Sequence, residues 1–404
     1  MKHQVAARIS SLILSPLILL GSVGIIPGAA AESEPEYSIS IACSSTEYTT
    51  IGTNTVMNFN YAAQLAFKNY VENTSNGRIE VNIYTNSALG NASEILLQCM
   101  QGVIECSTAG DSDLSNYYPD IQVFSVPYIF DSRVDFYNFL DSDYCQNMFN
   151  EIAQQCGVRI VSAFDNGGFR NFSNNVRQIH TADDLEGLKI RCMQSASYIT
   201  TLETFGAVPT ALAFSELYSA LQTGVVDGQE NAPLVMLDNS IYEQQKYYSL
   251  DGHSISPAFI IVNEQWLRSL PEDLQQIVLD GGQMAQIAAR GTIASSEELA
   301  LNFLAEKGVE IYSPTPEEKE TFKVAQEPVL EWMRGELGDD TVDQFMAALE
   351  VGGETGSDTA DTQTAVNATS QANITPYLVA IVVLALAVVV LIIKGRKKTE
   401  TQDS

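Results

Sequence analysis

The chain has 404 residues, fifty of them acidic and twenty-one basic, for a net charge of -29. This length allows two domains of ordinary size, and a hydrophobic share of 45% is that of a chain that buries a core. A field this negative excludes nucleic acid as a partner and repels small anions at long range, so any anion site has to be built locally from a few arginines.

The first residues carry Lys2 and Arg8, then an apolar stretch over 12–26 and the small run Ala29-Ala30-Ala31. This is the pattern of a secretory signal peptide over 1–31, cut after Ala31. Tyr37, Ile39 and Ile41 alternate at period two and predict a strand, followed by a helix with Phe59, Ala62, Ala63, Ala66, Tyr70 and Val71 on one broad face. Ile79, Val81 and Ile83 predict a second strand. A helix over 92–101 stops at Gly102, and 103–106 reads as a third strand. Strands alternating with helices imply a parallel sheet covered by helices.

A second such unit begins near Val158, whose strand runs to Gly167-Gly168. Residues 188–191 predict another strand. A short helix with Ser215 as N-cap and Gly224 as its stop precedes a third strand at 225–227. Ser269-Leu270-Pro271-Glu272 reads as a capping box that opens a helix running to about Lys307, over ~50 Å at ~1.5 Å per residue and so long enough to lie across two lobes, with a kink at Gly281-Gly282 as the alternative. Thr315-Pro316-Glu317-Glu318 opens the next helix in the same way.

Residues 351–375 are rich in Gly, Ser, Thr, Ala, Gln and Asp and read as a flexible stalk. An unbroken apolar run over 377–393 follows, and directly after it stand Lys394, Arg396, Lys397 and Lys398. Such a run, with its flank, approaches the ~20 residues that span a bilayer, and the basic block places the end of the chain in the cytoplasm. The expected arrangement is a single-pass protein of the cell membrane. It has a transmembrane anchor at 376–393, a cytoplasmic tail at 394–404, and an extracellular portion divided into lobe I (37–165 with about 257–290) and lobe II (166–256 with about 291–350). Six cysteines in an exported chain could form up to three disulfides, and their pairing is open. Cys43 and Cys106 could be neighbours in one sheet. Cys145 and Cys156 cannot bridge along one straight helix, where eleven residues span over ~16 Å against the ~6 Å between bridged Cα atoms.

Arg170, Arg191 and Asn231 each follow a predicted strand of the second unit, directly or after a short loop. Ligands of open α/β sheets bind outside the carboxyl ends of strands, and arginine's planar fork matches a carboxylate as lysine cannot. The bland alternative is that the arginines only pair with surface acids. Catalysis has weaker support. Gly110-Asp111-Ser112 with Asp251-Gly252-His253 resembles fragments of an esterase set at the wrong spacing, and no GxSxG, HExxH, Walker loop or strand-linked GxGxxG is present. With His3, His180 and His253 as the only histidines, a histidine-rich metal site is excluded.

The run from Ala213 to Asn231, AFSELYSALQTGVVDGQEN, closely resembles the signature of TRAP transporter solute receptors of the DctP family. In order along the chain it is joined by Asn76-Gly77-Arg78, Ala88-Leu89-Gly90, Val126-Pro127-Tyr128-Ile129-Phe130, Gly168-Phe169-Arg170-Asn171, Gly187-Leu188-Lys189-Ile190-Arg191 and Trp266-Leu267-Arg268. The resemblance implies a two-lobed α/β periplasmic-binding-protein-like flytrap, with hinge strands, a long lobe-spanning helix, no enzymatic activity and no cofactor. It implies that Arg191 makes the main salt bridge to a ligand carboxylate, that Arg170 is a second contact, that Phe214 packs on the ligand body and that Asn231 donates to the carboxylate. A small organic acid and a TRAP membrane permease are the implied partners. A receptor that reports an organic acid to a signalling partner is the alternative, which the short tail after Lys394 disfavours.

Overall fold

The computed structural model describes residues 34–51 and 54–350. The expected signal peptide, stalk, anchor and tail lie outside them. Among the described residues no helix is long and apolar enough to cross a membrane.

Thirteen strands form among these residues: β1 (Tyr37–Ala42), β2 (Tyr48–Ile51), β3 (Asn54–Met57), β4 (Ile79–Tyr84), β5 (Cys106–Gly110), β6 (Val158–Asp165), β7 (Arg170–Asn174), β8 (Lys189–Cys192), β9 (Val208–Ala211), β10 (Gly228–Asn231), β11 (Tyr247–Ser254), β12 (Pro257–Asn263) and β13 (Glu310–Tyr312). One sheet has the order β4-β1-β5-β12-β6 and a second the order β13-β11-β7-β10-β8-β9, while β2 and β3 form a separate hairpin. In the first sheet β4, β1 and β5 are parallel and β12 runs against both its neighbours. In the second, β10, β8 and β9 are parallel and β7 runs against β10 and β11. The chain leaves the first sheet between β6 and β7 and returns between β11 and β12, so two short crossings join the sheets. Buried on both faces, the central strands read as apolar runs, as in Pro257–Asn263.

Two predicted strands start three residues later than their apolar letters suggest, for one physical reason. After the helix Ala92–Met100, Gly102 takes a left-handed φ of 70° and Val103 N–H returns to the Gln98 carbonyl at 2.9 Å. After Leu217–Gln222, Gly224 and Val225 repeat this closure onto Leu221 and Ala220. Each helix stop consumes the apolar residues that follow it. Ser215 is no N-cap either, because a 3-10 turn over Phe214–Glu216 precedes the helix and the Glu216 carboxylate accepts the Ala213 N–H.

The long helix spans Glu272–Glu306 without interruption. Ser269 does not cap it. Its hydroxyl donates to the Trp266 carbonyl at the end of a separate helix, Glu264–Ser269, and Pro271 opens the long one. The glycine pair is a packing notch within the helix. A Cβ on Gly281 would lie 2.7 Å from a Val71 methyl, and one on Gly282 would lie 2.2 Å from the Val161 carbonyl oxygen. These notches seat the helix on Phe59–Thr74 and on β6, while its far end packs Phe303 against Tyr242 with ring centroids 5.4 Å apart. The substitution Gly282→Ala is expected to cost ~1–3 kcal/mol by overpacking against backbone that cannot yield. Denaturant unfolding reads this as a lower midpoint, and an unchanged midpoint would count against the notch.

Beyond β13 the helix Pro316–Phe322 buries Phe322 with Leu185 and Phe205 of the second unit. Val329, Leu330, Met333, Val342 and Phe345 instead join the aromatic cluster of Phe124, Phe136 and Phe139 that covers the first sheet. This corrects the expectation that the chain to residue 350 stays with lobe II. The apolar face of Gln326–Leu337 meets the larger apolar surface.

All six cysteines are buried and unbridged, so none of the three possible disulfides forms. Cys106 pairs with Ile41 across β5 and β1, and Cys43 lies just beyond β1. Burial pushes the thiols of Cys43, Cys99, Cys145 and Cys192 up to about 12, where the reactive thiolate is scarce.

Candidate functional site

A cleft of about 140 Å³ opens where the two sheets face each other. Arg170 is the first residue of β7, Arg191 lies in β8, Asn231 ends β10 and Phe214 begins the turn after β9, and all four line this cleft. The opposite wall comes from the first unit, with Ser45, Asn60, Asn91, Asp111 and Asp113 among its residues. Strand β10 can stand between β7 and β8 because it begins with glycine. A Cβ on Gly228 would fall 2.1 Å from the Ser173 carbonyl oxygen.

The two arginines differ in their state of charge compensation. Arg170 is 1% exposed and holds Glu230 bidentately, Nε to Oε2 at 2.5 Å and Nη2 to Oε1 at 2.8 Å. Its Nη1 lies 3.4 Å from Ser256 Oγ and its Nη2 3.4 Å from Met193 Sδ, both residues of the cleft lining. Burial would lower its pKa, but the Glu230 carboxylate outweighs that and holds it above the usual arginine value. Arg191 is 2% exposed and makes no salt bridge with any described residue. Its Nε and Nη2 both donate to the Leu212 carbonyl, at 2.9 and 2.7 Å. Burial depresses its pKa to about 10, and the more distant Glu230 recovers only part of this. The face of Phe214 lies 5.9 Å from its guanidinium carbon, and Asn231 Nδ2 donates a short hydrogen bond to Gln229 Oε1. The cleft therefore contains one buried cation that forms no ion pair with a described residue, Glu230 and Asp113 acting on it only from a distance.

Sequence reasoning did not reach the network behind Arg170. Glu230 Oε2 also lies 3.2 Å from His253 Nε2, and His253 Nδ1 lies 2.7 Å from Asp251 Oδ2, with the imidazole stacked on Phe172 at 4.3 Å. Burial alone would lower the His253 pKa, yet Asp251 and Glu230 raise it to about 9. Asp251 and His253, paired in the sequence, are also in contact. They face Glu230 and no serine nucleophile, so the esterase arrangement is not assembled. The signal that could have found Glu230 was its place beside Asn231, just after the predicted strand at 225–227, since an acid buried there requires a cation. Asp111 opens the short helix Asp111–Leu114. It is 3% exposed and accepts from Tyr198 Oη at 3.0 Å across the cleft, and burial pushes it up to about 7 against that bond.

Two α/β lobes joined by crossing strands, with a buried unpaired arginine between them, define a solute-binding protein of the flytrap type. The chain belongs to the family described as bacterial extracellular solute-binding protein, family 7, DctP, which matches residues 53–336. It is 30% identical over 287 residues to the C4-dicarboxylate-binding periplasmic protein DctP of Rhodobacter capsulatus, covering 70% of this chain and 84% of that one. A TRAP periplasmic solute-binding protein of Anaerococcus prevotii, solved with bound D-glucuronate, is 25% identical and superposes with a TM-score of 0.72, covering 79% of this chain and 99% of its own. One from Sulfurospirillum deleyianum, solved with bound succinate, is 27% identical with a TM-score of 0.71, covering 78% and 99%.

Proposed function

We propose that the protein captures a small organic acid by its carboxylate and delivers it to a TRAP membrane permease. The observation that carries this reading is Arg191, buried and without an acidic partner. An isolated buried charge is costly, and a ligand carboxylate that supplies the missing pair recovers that cost in proportion. In this reading Arg191 makes the bidentate salt bridge, Arg170 adds a contact through Nη1, Asn231 donates its amide and Phe214 packs on the ligand body. Closure would follow because the acid bridges both walls and so favours the closed arrangement by its differential affinity.

Lobe I would comprise 37–165 with about 257–290 and the helices after 326, and lobe II 166–256 with about 291–325. The apolar run over 377–393 would anchor the protein, with the binding domain outside the cell and 394–404 within it, so that the receptor stays close to its permease. Thermal unfolding of the full chain in mild detergent tests the capture step across a set of carboxylic acids. A ligand present at 100 times its dissociation constant is expected to add ~2.7 kcal/mol. If no acid in the set shifts the transition, the reading fails.

A further inference from the structure

We infer that the two lobes hold each other directly through a latch beside the cleft, positioned by Tyr198, so that a closed population exists before any acid binds. The latch joins two short segments. The helix Asp111–Leu114 belongs to the first unit and Ser115 follows it, while the helix Ala196–Thr204 belongs to the second and Ser195 precedes it. At one end Tyr198 Oη donates to Asp111 Oδ2 at 3.0 Å. At the other, Ser115 Oγ lies 3.2 Å from Ser195 Oγ, which is itself 3.1 Å from Ser197 Oγ. All five side chains are buried.

None of these contacts passes through a ligand. Asp111 lines the cleft, whereas Tyr198, Ser115 and Ser195 lie outside its lining, so an acid in the cleft need not displace them. The Tyr198 hydroxyl has no other hydrogen-bond partner among the described residues, and a bond to a carboxylate is stronger than one between neutral groups. The same ring lies 5.7 Å from the guanidinium carbon of Arg170, which ties the latch to the arginine pair. An acid shifts the balance of open and closed forms only by its differential affinity, and a latch that already populates the closed form lessens the shift it must supply.

The test is the distance between the lobes in the ligand-free full chain in mild detergent, read by pulsed electron paramagnetic resonance. Spin labels go on Val103→Cys and Val225→Cys, 64% and 54% exposed, which stand one on each unit just before β5 and β10. The six native thiols are buried and leave the label to these two sites. The doubly labelled chain is expected to show a closed population at the distance this structure gives. Adding Tyr198→Phe removes one oxygen and leaves the buried carboxylate without its donor, so the closed-to-open ratio should fall about tenfold or more. Asp111→Asn keeps an acceptor for Tyr198 and removes the charge, so it should hold or raise that ratio, which a general loosening of the fold would not do. A labelled chain that is open throughout overturns the latch without recourse to either latch variant. So does a ratio that Tyr198→Phe leaves unchanged, or an Asp111→Asn variant as open as Tyr198→Phe. No acid enters these measurements, so their failure leaves the capture reading standing, and that reading falls on the thermal shifts alone.

Discussion

Replacing Arg191 by methionine is expected to stabilise the empty protein while removing capture of the acid. The guanidinium is 2% exposed, has no protein carboxylate as partner, and is held at a pKa of about 10 by desolvation. Lowering it from 12.5 corresponds to roughly 3 kcal/mol that the fold spends to keep the charge inside, at 1.36 kcal/mol per unit. Methionine fills similar space without that penalty. It leaves the Leu212 carbonyl without its two donors, a loss of ~1–3 kcal/mol, but Leu212 lines the cleft and water can take their place, so the cost sits at the low end. A net gain of ~1–2 kcal/mol should appear as a higher melting temperature without ligand. Binding should weaken by ~3–5 kcal/mol, on the order of a hundred- to several-thousand-fold in Kd. Arg191→Lys should fall between, keeping charge and losing the fork. A variant that melts lower and still binds the acid would remove Arg191 from its assigned role.

Glu230→Gln is expected to act on stability with the opposite sign. It leaves the Arg170 guanidinium buried without its pair and removes one of the two carboxylates around His253, which should cost ~3–5 kcal/mol. The pH profile identifies the cause. Burial disfavours the charged Glu230, but Arg170 overcomes this and holds it at about 2 instead of 4.5. Its contribution is therefore complete above pH 4.5 and is lost as pH falls toward 2. His253 is raised from 6.5 to about 9, so its contribution is complete below pH 6.5 and is lost as pH rises through 9. Asp111, raised from 3.8 to about 7, tilts the interval between, because stability declines with rising pH from 3.8, where it ionises in the unfolded chain, until about 7, where it ionises in the fold as well. Melting temperatures taken across this range should fall at both ends for wild type, whereas Glu230→Gln should lose the acid-side dependence and shift the alkaline fall to lower pH. Parallel profiles for the two proteins would exclude the buried network as their source.

The strands of the first unit and the polar ends of the second were legible because period-two apolar letters and residues after strands follow directly from backbone geometry. Arg191 could be singled out, since an arginine on a buried strand has few other uses. Its lack of a partner could not, because counterions are a property of packing. Along the chain Glu230 lies thirty-nine residues from Arg191 and sixty from Arg170, and only the register of β7 against β10 decides which of them it neutralises. The glycine pair of the long helix left the kink open as an alternative for a related reason: intrinsic propensity argues for a kink, whereas the contacts of Gly281 with Val71 and of Gly282 with Val161 give both glycines a reason to stay helical.

The six buried thiols have a consequence for where such a receptor can operate. With no bridge constraining the unfolded chain, none of the folding free energy depends on an oxidant, and the polypeptide has no pairing step in which wrong partners could be joined. Reductant should leave the folded state unaltered, and oxidant has little purchase on sulfur that is both protonated and enclosed. The binding domain is thus indifferent to the redox poise of its surroundings, a property that suits it equally to anoxic and to aerated settings.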